Sequence, residues 1–241
     1  MWKISKKTGS EDMASVAIIT ARGGSKRIPK KNIKEFCGKP IIAYSIEAAL
    51  VSGAFDEVMV STDSEEIRAV AEKYGATVPF LRSEATSGDF ATTADVIAEV
   101  LETYKKMGKN FDSFACVYPT APFVTGEKLS GAMKLLDGAD AVLSVVKYSF
   151  PPQRAFVIRD GNVAYQYPQY ERARSQDLEP IYHDCGQFYM CRTDVFMEKH
   201  SLILPKTRPY ILPEEEVQDI DTMSDWEIAE AKFKALRGSD S

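Results

Sequence analysis

The stretch Val16-Ala17-Ile18-Ile19-Thr20-Ala21-Arg22-Gly23-Gly24-Ser25-Lys26-Arg27-Ile28-Pro29-Lys30-Lys31-Asn32 decides how this chain is read. Its first four residues form a short apolar run, as expected of a buried strand. Gly23 and Gly24 then turn the chain, and glycine lets backbone N–H groups approach an anion closely. Arg22, Lys26, Arg27, Lys30 and Lys31 crowd the same ten residues with no acid among them. Arginine and lysine make charge-assisted hydrogen bonds to phosphate oxygens, so a triphosphate suits this density. The spacing matches neither G-x-x-x-x-G-K-[ST] nor G-x-G-x-x-G. A solvated basic turn is the bland alternative.

Outward from that turn, strands and helices alternate. Pro40 marks a helix start, Ile42, Ile46 and Leu50 recur at four-residue spacing, and Gly53 closes the segment. Val58–Ser61 reads as a strand, followed by a helix whose face is Ile67, Val70, Ala71 and Tyr74. A third short strand is expected at Thr77–Leu81, then a helix over Thr93–Met107 and a strand over Phe114–Tyr118. Leu129, Ala132, Met133 and Leu136 predict the next helix, and Ala141–Val146 the next strand. Such alternation implies an α/β fold, a Rossmann-like, doubly wound, mainly parallel sheet. Ligands then bind beyond the carboxyl ends of the strands, near Arg22, Asp63 and Tyr118.

The alternation breaks at Lys147. Residues 148–184 are rich in Pro, Tyr, Arg and Gln and lack helical period. Asp160-Gly161-Asn162 between two apolar runs predicts a hairpin, so this segment reads as a small inserted β lobe. Strand character returns at Gln187–Cys191, and Ser224 with Glu227 predicts a capping box for a last helix. Residues 14–241 are therefore expected to form one domain. Residues 1–13, polar and lysine-rich, are expected to be a disordered or vector-derived tail.

Composition narrows the function classes. With 44% hydrophobic and 27% charged residues the chain is globular rather than disordered. A net charge of −5 argues against a nucleic-acid binder. No apolar run approaches a membrane span and the start lacks a signal-peptide core, so a cytoplasmic protein is expected. Cys37, Cys116, Cys185 and Cys191 contain no C-x-x-C pair, and with two histidines they do not suggest structural zinc.

Three further groups carry chemistry. In Gln218-Asp219-Ile220-Asp221-Thr222, an extended backbone points Asp219 and Asp221 to one face and Ile220 to the other. Two converging carboxylates suit Mg2+, which takes few carboxylates together with substrate phosphates; alternatively, Asp221 supports the turn into the last helix. Asp63 ends a strand at the ligand edge, although Asp63 or Ser64 would equally cap the next helix. Arg172, Arg174, Gln176, His183, Asp184, Gln187 and Tyr189 suit a carboxylated, hydroxyl-rich sugar. A lone histidine such as His183 is commonly structural.

The Ala21–Asn32 segment resembles the opening signature of the CMP–sugar-acid synthetases, A-R-G-G-S-K-x-[IL]-P-x-K-N, and Asp219-Ile220-Asp221-Thr222 resembles their metal motif. The resemblance runs from Ala14 to Leu236. Within it, Tyr182–Tyr189 and Arg174–Leu178 look like the branch acting on pseudaminic acid. The resemblance implies transfer of CMP from CTP to a nine-carbon sugar acid, Mg2+ dependence, and a homodimer joined through the inserted lobe. It also implies that Arg22, Gly23, Gly24, Ser25, Lys26, Lys31, Asn32, Arg82 and Thr93 hold CTP, with Arg22 and Lys26 among the catalytic groups. Asp219 and Asp221 would bind Mg2+ and take part in catalysis. Arg174 would hold the sugar carboxylate, with Tyr118, Arg154 and Gln187 in the same pocket. Tyr118 stands where the sialic acid enzymes carry a sugar-contacting glutamine, which disfavours sialic acid itself. The alternatives are the same chemistry on sialic, legionaminic or Kdo-type acid, a sugar-phosphate nucleotidyltransferase, and a non-catalytic nucleotide binder.

Overall fold

The structure, a computed structural model, describes residues 14–88 and 90–238. The expected tail over 1–13 lies outside the described residues. In chain order the elements are β1 (Ser15–Thr20), β2 (Glu35–Phe36), β3 (Lys39–Pro40), α1 (Ile41–Ser52), β4 (Glu57–Ser61), α2 (Glu65–Lys73), α3 (Glu84–Ser87), α4 (Thr93–Lys106) and β5 (Ser113–Val117). They continue with α5 (Gly126–Leu135), β6 (Ala141–Lys147), β7 (Phe156–Arg159), β8 (Asn162–Tyr165), β9 (Tyr182–Arg192), α6 (Thr193–Lys199), β10 (Thr207–Leu212) and α7 (Met223–Gly238).

The sheet has the order β10-β6-β9-β5-β1-β4. β4, β1 and β5 run parallel, as do β6 and β10, while β9 is antiparallel to both of its neighbours. β1 is buried along its length because it sends Ala17 and Ile19 into one core and Val16 and Ile18 into the other. Helices α1, α2 and α5 cover the first face through Ile42, Ile46, Ile67, Ala71, Leu129 and Ala132. Helices α4 and α6 cover the second through Ile97, Val100, Leu101, Tyr104 and Phe196. The expected α/β architecture is thus present.

Four expectations are corrected. Thr77–Leu81 is not a strand: only Thr77 bridges Met59, and Pro79 lacks the N–H that would extend a ladder. Leu50 is 43% exposed rather than core. Thr222 and Asp225, not Ser224 and Glu227, make the reciprocal cap of α7: Asp225 N donates to Thr222 Oγ1 at 3.3 Å, and Thr222 N donates to Asp225 Oδ2 at 2.8 Å. The inserted lobe ends at Ile181, because Tyr182 and His183 already pair with Lys147 and Val146 of β6. The hairpin itself forms as expected. Asp160 and Gly161 take φ of 51° and 77° between β7 and β8, the left-handed pair that a two-residue hairpin turn requires.

α6 and β10 had no sequence expectation. α6 spans only seven residues, and β10 carries Pro209, which is tolerated because this strand lies at the sheet edge.

Candidate active site

The basic turn leaves β1 at the carboxyl edge of the sheet. Gly23 N donates to Asp63 Oδ1 at 2.8 Å, which ties the turn to the end of β4. A Cβ at Gly23 would stand 3.2 Å from Ser64 Cβ, so only glycine fits this approach comfortably. Ser64 itself caps α2, accepting from Ile67 N at 3.4 Å. Buried Asn32 donates from Nδ2 to the Arg22 carbonyl at 2.9 Å and folds the loop back on itself.

A second set of contacts brings the distant carboxylates to this loop. Ile28 and Ile220 share one apolar cluster with Phe36, Tyr44, Trp226 and Phe233. With Ile220 buried inward, Asp219 and Asp221 stand clear of the core on the cavity side. Arg27 grips Asp221 as a fork, Nη1 to Oδ2 at 3.0 Å and Nη2 to Oδ1 at 2.9 Å. Lys31 Nζ donates to the Ile220 carbonyl at 2.7 Å and lies 3.6 Å from Asp221 Oδ1.

Two cavities adjoin here. The smaller, about 360 Å3, is lined by Arg22, Ser25, Lys26, Arg27 and Asn32 among others. The larger, about 680 Å3, is lined by Lys147, His183, Asp184, Tyr189, Asp219 and Lys232 among others. Lys31, Tyr118, Thr120 and Asp221 line both. The first chamber is cationic and suits phosphates. The second mixes cationic, anionic and hydroxyl groups and suits a charged, hydroxyl-rich molecule.

Among the residues named from sequence, Arg22, Ser25, Lys26, Lys31 and Asn32 therefore meet around one chamber, Lys31, Tyr118 and Asp221 join it to the other, and Asp219 lines only the larger one. Gly23 and Gly24 form the exposed bend of the same loop. Arg82 lines neither cavity. Its Nε donates to Ser61 Oγ at 3.1 Å and its Nη2 to the Ser61 carbonyl at 2.7 Å, and burial pulls its pKa down. Thr93 stands behind Tyr118, with the two hydroxyls 3.3 Å apart. Gln187 is buried and donates from Nε2 to the Glu216 carbonyl at 2.6 Å, bracing the segment that leads to Asp219. Arg154 and Arg174 sit on the inserted lobe, outside both linings; Arg154 Nη1 donates to Ser175 Oγ at 3.3 Å.

Asp184 and Tyr189, named from sequence among the groups suited to a sugar, line the larger cavity, and so does Lys147, which the sequence reading did not single out. Lys147 ends β6, and Asp184 lies near the start of antiparallel β9, so both reach the same sheet edge. Strand direction and register are not written in a local hydrophobic pattern, which is why Lys147 was missed. Asp184 accepts from Gly186 N at 2.8 Å and from the Tyr189 hydroxyl. The Tyr189 ring meets Tyr118 edge to face with centroids 5.9 Å apart. Burial, then the neighbouring Tyr118 and Asp184, push the Tyr189 phenol far above its ordinary pKa, so it stays protonated and donates.

Comparison with known proteins agrees with this geometry. The cytidylyltransferase family model matches residues 16–207. The chain is 40% identical to the pseudaminic acid cytidylyltransferase of Campylobacter jejuni subsp. jejuni, over 92% of this chain and 97% of that protein. It is 36% identical to the CMP-N,N'-diacetyllegionaminic acid synthase of Legionella pneumophila subsp. pneumophila, over 90% of this chain and 95% of that one. A solved structure of a CMP:2-keto-3-deoxy-manno-octonic acid synthetase complexed with CTP shares the fold with a TM-score of 0.67, at 18% identity, over 92% of this chain and 99% of that chain. A phosphate-suited loop at the strand edge, a family match across most of the domain and a relative aligned nearly end to end lead to one conclusion: the chain belongs to the cytidylyltransferase family and is a nucleotidyltransferase.

Proposed function

We propose that this enzyme transfers CMP from CTP to the anomeric hydroxyl of pseudaminic acid. The hydroxyl oxygen attacks the α-phosphorus and forms the new P–O bond. The bond from that phosphorus to the bridging oxygen breaks, pyrophosphate leaves, and the hydroxyl proton is released. The observation that carries this reading is the pair of adjoining cavities with Lys31, Tyr118, Thr120 and Asp221 at their junction. The cationic chamber would hold the triphosphate, and the larger one the sugar acid. Arg22, Lys26 and Lys31 would stabilise charge developing on the leaving group, which is electrostatic catalysis by prearranged cations.

Asp219 and Asp221 fit a magnesium ion in one specific sense. No group of three or more His, Cys, Asp and Glu side chains among the described residues makes an all-protein cage. Mg2+ commonly takes one or two carboxylates and completes its shell with water and substrate phosphates. Asp221 on the phosphate chamber and Asp219 in the adjoining cavity would supply those carboxylates. A bound Mg2+ would neutralise phosphate charge and favour deprotonation of the attacking hydroxyl.

The same chemistry on legionaminic, sialic or Kdo-type acid is the second reading, supported by the likeness to the Legionella protein. Pyrophosphate release with CTP and Mg2+ separates the two when each acid is offered alone. Release with pseudaminic acid, abolished by EDTA, is the expected result. Release only with another acid overturns the substrate, and release that survives EDTA overturns the metal. CTP binding with no release from any acid favours a non-catalytic binder.

A homodimer through the inserted lobe is part of the same reading. Ile158 and Val163, paired across the β7–β8 hairpin, are 77% and 66% exposed, apolar surface of the kind an interface covers. Light scattering is expected to give twice the chain mass, and Ile158→Asp to halve it. A monomer mass for the unaltered protein removes the proposal.

A further inference from the structure

The larger cavity poses a problem of sign. A sugar acid is an anion, and Lys31, Lys147 and Lys232 line the cavity, yet Asp184, Glu214, Asp219 and Asp221 line it too. Asp219 and Asp221 belong to the proposed cation site and Glu214 accepts from Ser149 Oγ at 2.6 Å, which leaves Asp184 to be explained. An anion placed against an anion needs a reason, because like charges at close range cost free energy.

The backbone places Asp184 there by an irregularity. From the Leu143↔Tyr189 pair to the Val145↔Asp184 pair, β6 advances two residues while β9 advances five. Bulges of this kind re-aim side chains beside binding sites. Buried Ser144 covers the gap: its Oγ donates to the Phe188 carbonyl at 2.9 Å and accepts from Phe188 N at 3.1 Å. Gly186 takes φ of 62° inside the bulge, where a side chain would be strained. Asp184 closes the turn through Gly186 N and is held from the other side by the Tyr189 hydroxyl. Tyr189 packs on Tyr118, and Tyr118 touches Thr93 on α4. The carboxylate is thus braced by a chain of side chains that reaches into the core.

A carboxylate has about four acceptor sites. Gly186 and Tyr189 use one on each oxygen, which leaves acceptor capacity on a group that faces the cavity. Such a group attracts O–H and N–H donors and repels a second carboxylate. We infer that Asp184 is a specificity-determining residue: it accepts from N–H or O–H donors of the sugar acid and excludes the sugar's carboxylate from that end of the cavity. The acid then enters in one orientation, its donor groups toward Asp184 on β9 and its carboxylate toward Lys31 and Lys232, which other elements carry. This inference rests on the proposed function, since it presumes an acidic sugar in that cavity.

Asp184→Asn tests it, because asparagine keeps the shape and an oxygen for Gly186 N but loses the charge. The expected result is a fall in kcat/KM for pseudaminic acid of about 10–100-fold, the size of one lost charge-assisted hydrogen bond. The CTP dissociation constant is expected to stay within about twofold, since no phosphate contact is touched. Selectivity for N-acylated acids over a Kdo-type acid, which lacks an N–H donor, is expected to drop. A merely structural residue would lower all acids alike. Tyr189→Phe, which frees one Asp184 oxygen but keeps the ring, is expected to raise the sugar KM without moving CTP binding. Unchanged sugar kcat/KM and selectivity in both variants overturn the role of Asp184 while leaving the proposed reaction standing. Calorimetric titration of each acid, with CTP present, reads recognition apart from turnover. Acids that bind without turnover refute the reaction yet still report on Asp184. Acids that do not bind the unaltered protein overturn both.

Discussion

Asp221→Ala is expected to lower kcat by about 10²–10³-fold, the cost of deleting one prearranged electrostatic group. Asp221 borders both cavities, and Arg27 and Lys31 converge on it. Among the described residues no other carboxylate lines both chambers. Its loss would remove half of the proposed cation site and leave Arg27 free to settle elsewhere on the phosphates. The fold should survive: the Arg27 and Asp221 side chains are 67% and 40% exposed, and ion pairs this solvated contribute at most about 1 kcal/mol. An unchanged circular dichroism spectrum with a collapsed kcat is therefore the signature. Activity within about tenfold of the unaltered enzyme would take Asp221 out of the metal site. Measuring Mn2+ affinity in the same variant separates loss of cation binding from loss of phosphate positioning.

The second large effect comes from the core under the site. Phe36 is fully buried and meets Tyr44, Trp226 and Phe233 edge to face, with centroids 5.4–5.7 Å apart. The Tyr44 hydroxyl closes the same unit by donating to the Phe36 carbonyl at 2.9 Å. Phe36→Ala is expected to cost about 3–5 kcal/mol, from lost burial and from the cavity left behind. For a domain of this size that corresponds to a drop in Tm of roughly 6–20 °C. Ile28 and Ile220 belong to the same cluster, so the basic loop and the Asp219–Asp221 segment should loosen together. CTP affinity is then expected to fall even at temperatures where the protein remains folded. Phe36→Leu, which refills most of the space, should recover most of both quantities. A loss in Tm below about 3 °C for the alanine variant would show that the neighbouring rings collapse into the gap.

The two motifs at opposite ends of the chain were legible as chemistry before their geometry was known. The density of cations around Gly23 and Gly24 needs no tertiary context, because local spacing already puts them on one short loop. The alternation of Asp219, Ile220 and Asp221 is likewise local, and burial of Ile220 at 1% exposure is its direct consequence. The Asp160-Gly161 turn and the α4 boundary were readable for the same reason. Where Thr77–Leu81 failed as a strand, Pro79 was the visible warning and the apolar residues around it the misleading signal.

What the sequence by itself determined is therefore the α/β alternation, the phosphate-suited loop, the paired carboxylates and the likeness to enzymes that use CTP. These follow from periodicities and spacings that operate within a few residues. Only the tertiary structure decided that Arg27 and Asp221, far apart in the chain, meet as a fork. It also decided that β9 runs against its neighbours and that a bulge turns Asp184 into the cavity. Strand direction, register and long-range ion pairs depend on which distant surfaces pack together. The free energy that selects them comes from burial summed over the whole core, which no local stretch of sequence contains.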